Sequence, residues 1–186
     1  ELILTKQTTL GENFDELLEA LSSPYCALAK LRIGEPTIPL DCRSPHLSLL
    51  CCRSQLTHVV GLARCSADNC DWPADQPVSK LLESLAKGAE DCTFPPQLRT
   101  LESYEMDTAG GELPARFFEQ CGQRLETLGL GKLGLAGSLP GAVGQLKEVK
   151  SIILHGNKLS GELPAELGEC KKLRMLLLFG HDFSGQ

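Results

Sequence analysis

The chain has 186 residues, of which 42% are hydrophobic, so it is long enough for one sizeable domain or two small ones. Its formal charge is -6, and lysine and arginine form no cluster, which argues against nucleic acid and anionic membrane surfaces as partners. The longest apolar run, Met175 to Phe179, is far shorter than the roughly 20 residues that a membrane-spanning helix needs.

Residues 1–97 show no repeat, and their patterns predict helices joined by loops. Asn13 begins a capping-box-like sequence, and apolar residues follow it at helical spacing. The run from Cys26 to Ile33 is compatible with a strand or a helix. The predicted helices cover about residues 14–22, a segment that starts at Ser44-Pro45, and residues 77–87, where Leu81, Leu82 and Leu85 are buried before Gly88 ends the helix.

The chain contains nine cysteines, and seven of them lie before residue 98. This density indicates disulfides and an oxidising compartment, either extracellular or an organelle lumen. Cys65 and Cys70 form a C-x4-C pair with His46, His58, Cys51 and Cys52 as further metal-ligand candidates, but zinc sites normally combine two such knuckles. We therefore interpret the pair as part of a disulfide-stapled loop and predict no metal and no cofactor. Because the chain begins at Glu1 rather than methionine, we expect a processed or partial product.

The last third of the chain repeats one pattern. The blocks starting at Leu125, Val149 and Leu173 place apolar residues at positions one, four and six, and a Gly-x-Leu-Pro segment follows the first two at the same distance. A unit of about two dozen residues cannot enclose a core alone, so the repetition predicts a solenoid. Leu-x-Leu predicts a short strand, and its recurrence predicts a parallel sheet in which Leu128, Ile152 and Leu176 superpose on neighbouring rungs.

Residues 149–168 resemble the plant-type leucine-rich repeat, whose pattern is L-x-x-L-x-L-x-x-N-x-L-S-G-x-I/L-P-x-x-L-G. The resemblance covers about residues 98–186, which hold about four repeats with the last incomplete. It implies a right-handed leucine-rich-repeat coil with a short parallel sheet on its concave side, used in that family mainly to bind proteins or peptides. We thus expect an α/β solenoid preceded by a mainly helical, cysteine-rich region, residues 1–97, that caps it directly before the first strand.

The repeats depart from the family pattern in places that carry expectations of their own. The family has asparagine at the ninth position, where only Asn157 conforms, while Met106, Leu133 and His181 hold the equivalent places. We expect Met106 and Leu133 to fill that volume by packing. His181 either titrates or bonds a backbone carbonyl, which is the commoner role of such a histidine.

Two further features of the repeats concern the core. Cys121 and Cys170 lie near the same place in repeats two units apart, so about 10 Å should separate them. A disulfide requires Cα atoms within about 7 Å. We predict that both are buried thiols with no bond between them. Phe117 and Phe118, in the return segment of the first repeat, are predicted to pack in the core.

The strand geometry predicts a candidate binding surface on the outward face of the sheet. Apolar residues gather there toward the end of the chain, and a contiguous apolar patch commonly marks an interface. The predicted partner-binding residues are Tyr104, Ile153, His155, Met175, Leu177 and Phe179. The strand containing Leu176 would be an exposed sheet edge, so we expect missing repeats or another chain to cover it.

Three classes of function remain open from the sequence. The first is a non-catalytic interaction module that binds a protein partner, in a stable complex, through the concave sheet. The second is a structural accessory subunit of a larger assembly, such as an organellar or photosynthetic membrane complex. The third is an enzyme, which we do not expect, because no motif supplies a nucleophile with a base and an orienting group.

Overall fold

The computed structural model describes residues 2–4, 14–21, 23, 26–33, 57–60, 78–90, 97–104 and 110–184. The α-helices among these residues are α1 (Phe14–Leu21), α2 (Val78–Glu90) and α3 (Ala115–Cys121), and short 3-10 helices cover Gly122–Arg124, Gly141–Gln145 and Ala165–Glu169. The strands are β1 (Leu2–Leu4), β2 (Lys30–Ile33), β3 (His58–Val60), β4 (Thr100–Tyr104), β5 (Gly111–Glu112), β6 (Thr127–Gly131), β7 (Leu135–Gly137), β8 (Ser151–Ile153), β9 (Lys158–Gly161), β10 (Met175–Leu177) and β11 (Asp182–Phe183).

Seven of the described strands form one parallel sheet in the order β1-β2-β3-β4-β6-β8-β10. Leu128 pairs with Ile152, and Ile152 pairs with Leu176, so the predicted superposition of these three residues is confirmed. The same inward row continues through Leu101, Val59 and Leu31 on the earlier strands. Each of these three side chains is buried. The row is therefore the apolar spine of the sheet.

A second parallel sheet of described strands has the order β5-β7-β9-β11. Each of its strands follows a strand of the large sheet on the same rung: β5 follows β4, β7 follows β6, β9 follows β8 and β11 follows β10. Gly137 and Gly161 end β7 and β9 with φ values of 77° and 81°, which only glycine adopts without strain. Pro140 and Pro164 follow and directly precede the 3-10 segments that start at Gly141 and Ala165. The Gly-x-Leu-Pro sequence thus turns the chain toward the back of the solenoid.

The core lies between the large sheet and the elements that return behind it. Helix α2 packs on α3, and α3 packs on the 3-10 segment Gly141–Gln145. Phe117 and Phe118 are fully buried with their rings edge to face at 5.6 Å, which confirms their predicted core role. Leu133 is also fully buried, as expected for a residue that fills the ninth position by packing.

From the sequence, the first strand of the solenoid was expected after residue 97. This expectation is wrong, because β1, β2 and β3 lie before residue 97 and β3 pairs with β4 in the same sheet. Leu28-x-x-Leu31-x-Ile33 already has the apolar spacing of the later rungs. The sequence does not reveal this rung as a repeat, because no Gly-x-Leu-Pro ending follows it and the stretches between β2, β3 and β4 are unequal in length. The capping role of residues 1–97 stays a prediction.

Two of the helices expected in the first half are found. Helix α1 matches the predicted segment, and α2 buries Leu81, Leu82 and Leu85 as predicted but continues past Gly88 to Glu90. The ambiguous run ends in strand β2. The helix expected from Ser44 and the Cys65–Cys70 loop lie outside the described residues, as does Met106. No helix that the structure describes has the length and apolar character required to cross a bilayer.

Candidate functional site

The outward face of the large sheet aligns side chains of neighbouring strands in rows. Because side chains alternate along a strand, residues next to the buried spine point away from the core. The register defines two rows, Thr100, Thr127, Ser151 and Met175, and Glu102, Gly129, Ile153 and Leu177. We call the surface formed by Ile153, His155, Met175, Leu177 and Phe179 the apolar face.

The predicted partner-binding residues fall on or beside this apolar face. Met175 and Phe179 are 49% and 64% exposed, whereas Ile153, His155 and Leu177 are partly buried. Ile153 and Leu177 are register partners on adjacent strands, but Met175 faces Ser151 rather than an apolar residue. The backbone of Tyr104 pairs with Gly131 on β6, so Tyr104 is separated from His155 by the glycine rung.

His155 and Phe179 form a stacked pair at the end of the apolar face, with ring centroids 4.9 Å apart and planes inclined by 25°. Gly131 also lies next to the histidine ring. A Cβ atom at Gly131 would lie 2.5 Å from Cε1 of His155, closer than such atoms approach. The glycine therefore leaves the space that the histidine ring occupies, and three consecutive rungs are linked through backbone, imidazole and phenyl ring.

A row of charged residues precedes the strands of this face. The Arg99 guanidinium donates to Glu126 Oε1 at 2.6 Å, and Lys150 Nζ donates to Glu126 Oε2 at 2.5 Å. These hydrogen bonds, that from Lys150 first, lower the pKa of the Glu126 carboxyl below its ordinary value. The next residue in the row is Arg174, whose backbone N–H donates to the Lys150 carbonyl at 2.8 Å.

The rungs under the apolar face are tied together by polar side chains at the ninth repeat position. Oδ1 of Asn157 accepts from the backbone N–H groups of Leu133 and Leu135 at 2.9 and 3.1 Å. Its Nδ2 donates to the carbonyls of Leu130 and Leu154 at 2.7 and 2.5 Å. One buried side chain therefore joins two successive turns of the solenoid.

His181 takes the asparagine's place on the next rung. Its Nε2 donates to the Leu154 carbonyl at 2.9 Å, and its Nδ1 accepts from the Leu159 N–H at 3.3 Å, which fixes the neutral Nε2–H tautomer. Burial lowers the pKa of His181 below its ordinary value. The expectation of a histidine bonded to a backbone carbonyl is confirmed.

The cysteines of the repeats are buried thiols, as predicted. Cys121 Sγ donates to the Leu85 carbonyl at 3.7 Å, and Cys170 Sγ donates to the Val143 carbonyl at 3.4 Å. Burial raises the pKa of the Cys170 thiol. Within the described ranges no group of three or more His, Cys, Asp or Glu side chains could hold a metal ion. Six cysteines, Cys42, Cys51, Cys52, Cys65, Cys70 and Cys92, lie outside those ranges.

Sequence reasoning identified the outward positions but missed two features of the surface. The first is Gly131, since a glycine opposite an aromatic row signals space for a neighbouring ring. Arg174 follows the first leucine of its block, where Arg99, Glu126 and Lys150 stand in the earlier blocks. Lining up that position across blocks would have revealed the charged row.

Comparison with solved structures gives the class of fold. A plant peptide hormone receptor, RGFR1 in complex with RGF2, is 16% identical over 86% of this chain and 22% of that one, with a TM-score of 0.57. A TDR receptor is 24% identical over 86% and 22% of the two chains, with a TM-score of 0.57. The Arabidopsis receptor kinase HAESA, in complex with the peptide hormone IDA and the co-receptor SERK1, is 21% identical over 84% and 23%, with a TM-score of 0.56.

The fold is accordingly that of a plant-type leucine-rich-repeat protein, with parallel sheets stacked as a solenoid. The chain spans 22% to 23% of the length of these three structures and about half of the length of two others that it matches, the BIR3–SERK2 complex and the BIR2 ectodomain from Arabidopsis thaliana. No protein-family model matches the sequence, and no curated protein does either.

Proposed function

We propose that this chain is a non-catalytic interaction module that binds a protein partner through the outward, concave face of its large sheet. The observation that carries the proposal is the exposure of Met175 and Phe179 beside Ile153 and Leu177. Large apolar side chains gathered on one face of a soluble protein commonly mark an interaction surface. The contact residues we propose are Tyr104, Ile153, His155, Met175, Leu177 and Phe179.

The rigidity of the face supports this role. Asn157 holds the turns beneath it, and the stack of His155 on Phe179 restrains the two rings. Association costs less entropy when the contacting side chains are already ordered. The histidines at this end are engaged in such structural contacts, His155 with Phe179 and His181 with Leu154, which agrees with a non-catalytic role.

The test compares two variants of equal charge change. Leu177→Glu with Phe179→Glu places carboxylates on the apolar face, whereas Lys158→Glu makes the same net change at an exposed site on β9. Each labelled protein is crosslinked in an extract of its source, captured, and its neighbours identified by mass spectrometry. We expect Lys158→Glu to retain the neighbours of the wild type. The double variant should lose at least about 2 kcal/mol of binding, the size of a hot-spot effect.

Circular dichroism checks that both variants remain folded. If the folded double variant keeps every native neighbour at wild-type strength, the apolar face is not the interface and the proposal is wrong.

The alternative, a structural accessory subunit, has one observation in its favour. Leu176 on β10 is 36% exposed and Leu163, on the rung of β8 and β9, is 45% exposed, although their equivalents one rung earlier, Ile152 and Leu139, are buried. Cover from another chain or from further repeats would remove this exposure. A stable stoichiometric complex that Leu163→Glu dissolves, and the face variant does not, would favour the alternative.

The compartment and the division of the chain are also proposals. We propose an oxidising compartment on the strength of the nine cysteines. Intact mass measured before and after reduction, with alkylation, tests it by counting disulfides. The boundary at residue 97 remains a prediction, and the large sheet is continuous across it through the β3–β4 pair.

A further inference from the structure

The charged row at the strand starts breaks its alternation at the last rung. Backbone hydrogen bonds place Glu126 next to Arg99, Lys150 next to Glu126, and Arg174 next to Lys150, with distances of 2.7 to 2.8 Å. The first three residues alternate in sign and form ion pairs. Arg174 comes next in the row, so two positively charged residues, Lys150 and Arg174, are neighbours. Among the residues that the structure describes, it has no carboxylate partner.

Arg174 also begins the rung that carries the exposed part of the apolar face. Met175 directly follows it, and Leu177 and Phe179 follow Met175 at steps of two residues. A strand rises about 3.3 Å per residue, so the apolar strip extends about 13 Å from Met175 to Phe179. Arg174 is exposed and directly precedes this strip in the sequence, and an arginine can bind a carboxylate through two parallel hydrogen bonds.

The charge of the whole sheet face agrees with that of Arg174. The described charged residues on this face, or one position before its strands, are Lys30, Arg32, Arg99, Glu102, Glu126, Lys150 and Arg174. Five of these seven are basic, although the whole chain has 24 acidic and 18 basic residues. A basic face on an acidic chain attracts a negatively charged segment and repels a second copy of itself.

We infer that the apolar face binds an extended segment of a partner protein that is both acidic and apolar. An Asp or Glu side chain of that segment binds Arg174, and apolar side chains further along it cover Leu177 and Phe179. This inference rests on the proposed function and names the class of partner. The segment needs about five or six extended residues, because Arg174 and Phe179 are about 17 Å apart along the strand.

The test uses random peptides displayed on phage and selected on the native protein. Selected peptides are synthesised with a fluorescent label, and their dissociation constants are measured by anisotropy for four proteins. These are the wild type, Arg174→Glu, the double variant of Leu177 and Phe179, and Lys158→Glu as the charge-matched control. We expect the selected peptides to combine an Asp or Glu with apolar residues. Their affinity should fall about 10-fold or more for Arg174→Glu, the size of a lost hydrogen bond to a charged group.

A charge swap separates recognition from a change in folding. A selected peptide whose acidic residue is replaced by lysine should bind Arg174→Glu better than it binds the wild type. Peptides that bind the apolar face without an acidic residue, or with equal affinity for Arg174→Glu, overturn the inference and leave the proposed function standing. If no peptide binds in a manner that the double variant abolishes, the proposed function fails, and the inference fails with it. A dimer of the chain alone that the double variant dissociates would assign the face to a second copy and overturn the inference.

Discussion

Replacing Asn157 by leucine should destabilise the solenoid more than any surface substitution. The asparagine side chain is 4% exposed and makes four hydrogen bonds to backbone groups. Leucine has a similar volume but leaves the N–H groups of Leu133 and Leu135 without their side-chain acceptor. Each unsatisfied buried group costs about 1–3 kcal/mol. We therefore expect the free energy of unfolding to fall by about 2–6 kcal/mol, a large part of the roughly 5–15 kcal/mol that stabilises a typical domain.

The assay is urea unfolding followed by far-UV circular dichroism, with the slope of the transition compared between variants. Lys158→Leu is the matched control, because it makes a polar-to-leucine change at the next residue, which is exposed. Its effect should stay within about 0.5 kcal/mol. A loss below about 1 kcal/mol for Asn157→Leu, with an unchanged slope, would show that water or a backbone shift satisfies the abandoned groups and would refute the argument.

Two further predictions concern Gly131, which lies beside the His155 ring, and His181, which takes the place of Asn157 on the next rung. Gly131→Ala should displace the His155 ring and lower the free energy of unfolding by about 1–3 kcal/mol in urea titrations, whereas Gly168→Ala, where a Cβ meets nothing within 4 Å, should have little effect. An equal effect of both would contradict the stacking argument. Because burial lowers the pKa of His181, the folded chain binds fewer protons there, so stability is complete above about pH 6.5 and is lost as the pH falls through the lowered folded value. His181→Asn should remove the contribution of His181 to the pH dependence of the free energy of unfolding, measured by urea titrations between pH 5 and 8. If the free energy of unfolding changes with pH equally in both proteins, the prediction is wrong.

The sequence was sufficient to predict the fold where the rungs have equal periods. Leu128, Ile152 and Leu176 each stand at the fourth position of a block, and equal periods force them into one row. The rungs formed by β2 and β3 were missed because unequal connections conceal the period, although Leu31 and Val59 join the same row. The apolar spacing within a block thus determines which residues lie on the spine. The equal distance between blocks only makes the repeat recognisable in the sequence.

For the candidate face, the sequence predicted which residues point outward but not how their side chains contact one another. Alternation along a strand is geometric, so the outward positions of Ile153 and Leu177 follow from the buried residues between them. The stack of His155 on Phe179 depends on ring orientation and on the space above Gly131, which no single block reveals. The position of Arg174 beside Lys150, a residue of the same charge, likewise emerges only when four rungs are compared.

The features beneath and on the face have one physical origin. In a parallel stack each side chain repeats its position on the next rung, so a polar or charged residue is satisfied by neighbours at the same height. Asn157 and His181 both donate to the Leu154 carbonyl, and Glu126 is satisfied by the rungs on either side of it. Arg174 stands beside Lys150, which has the same charge, and it has no carboxylate partner among the described residues, which is the basis for proposing it as a contact to another molecule. The same stacking that stabilises the core therefore determines where the surface can be selective.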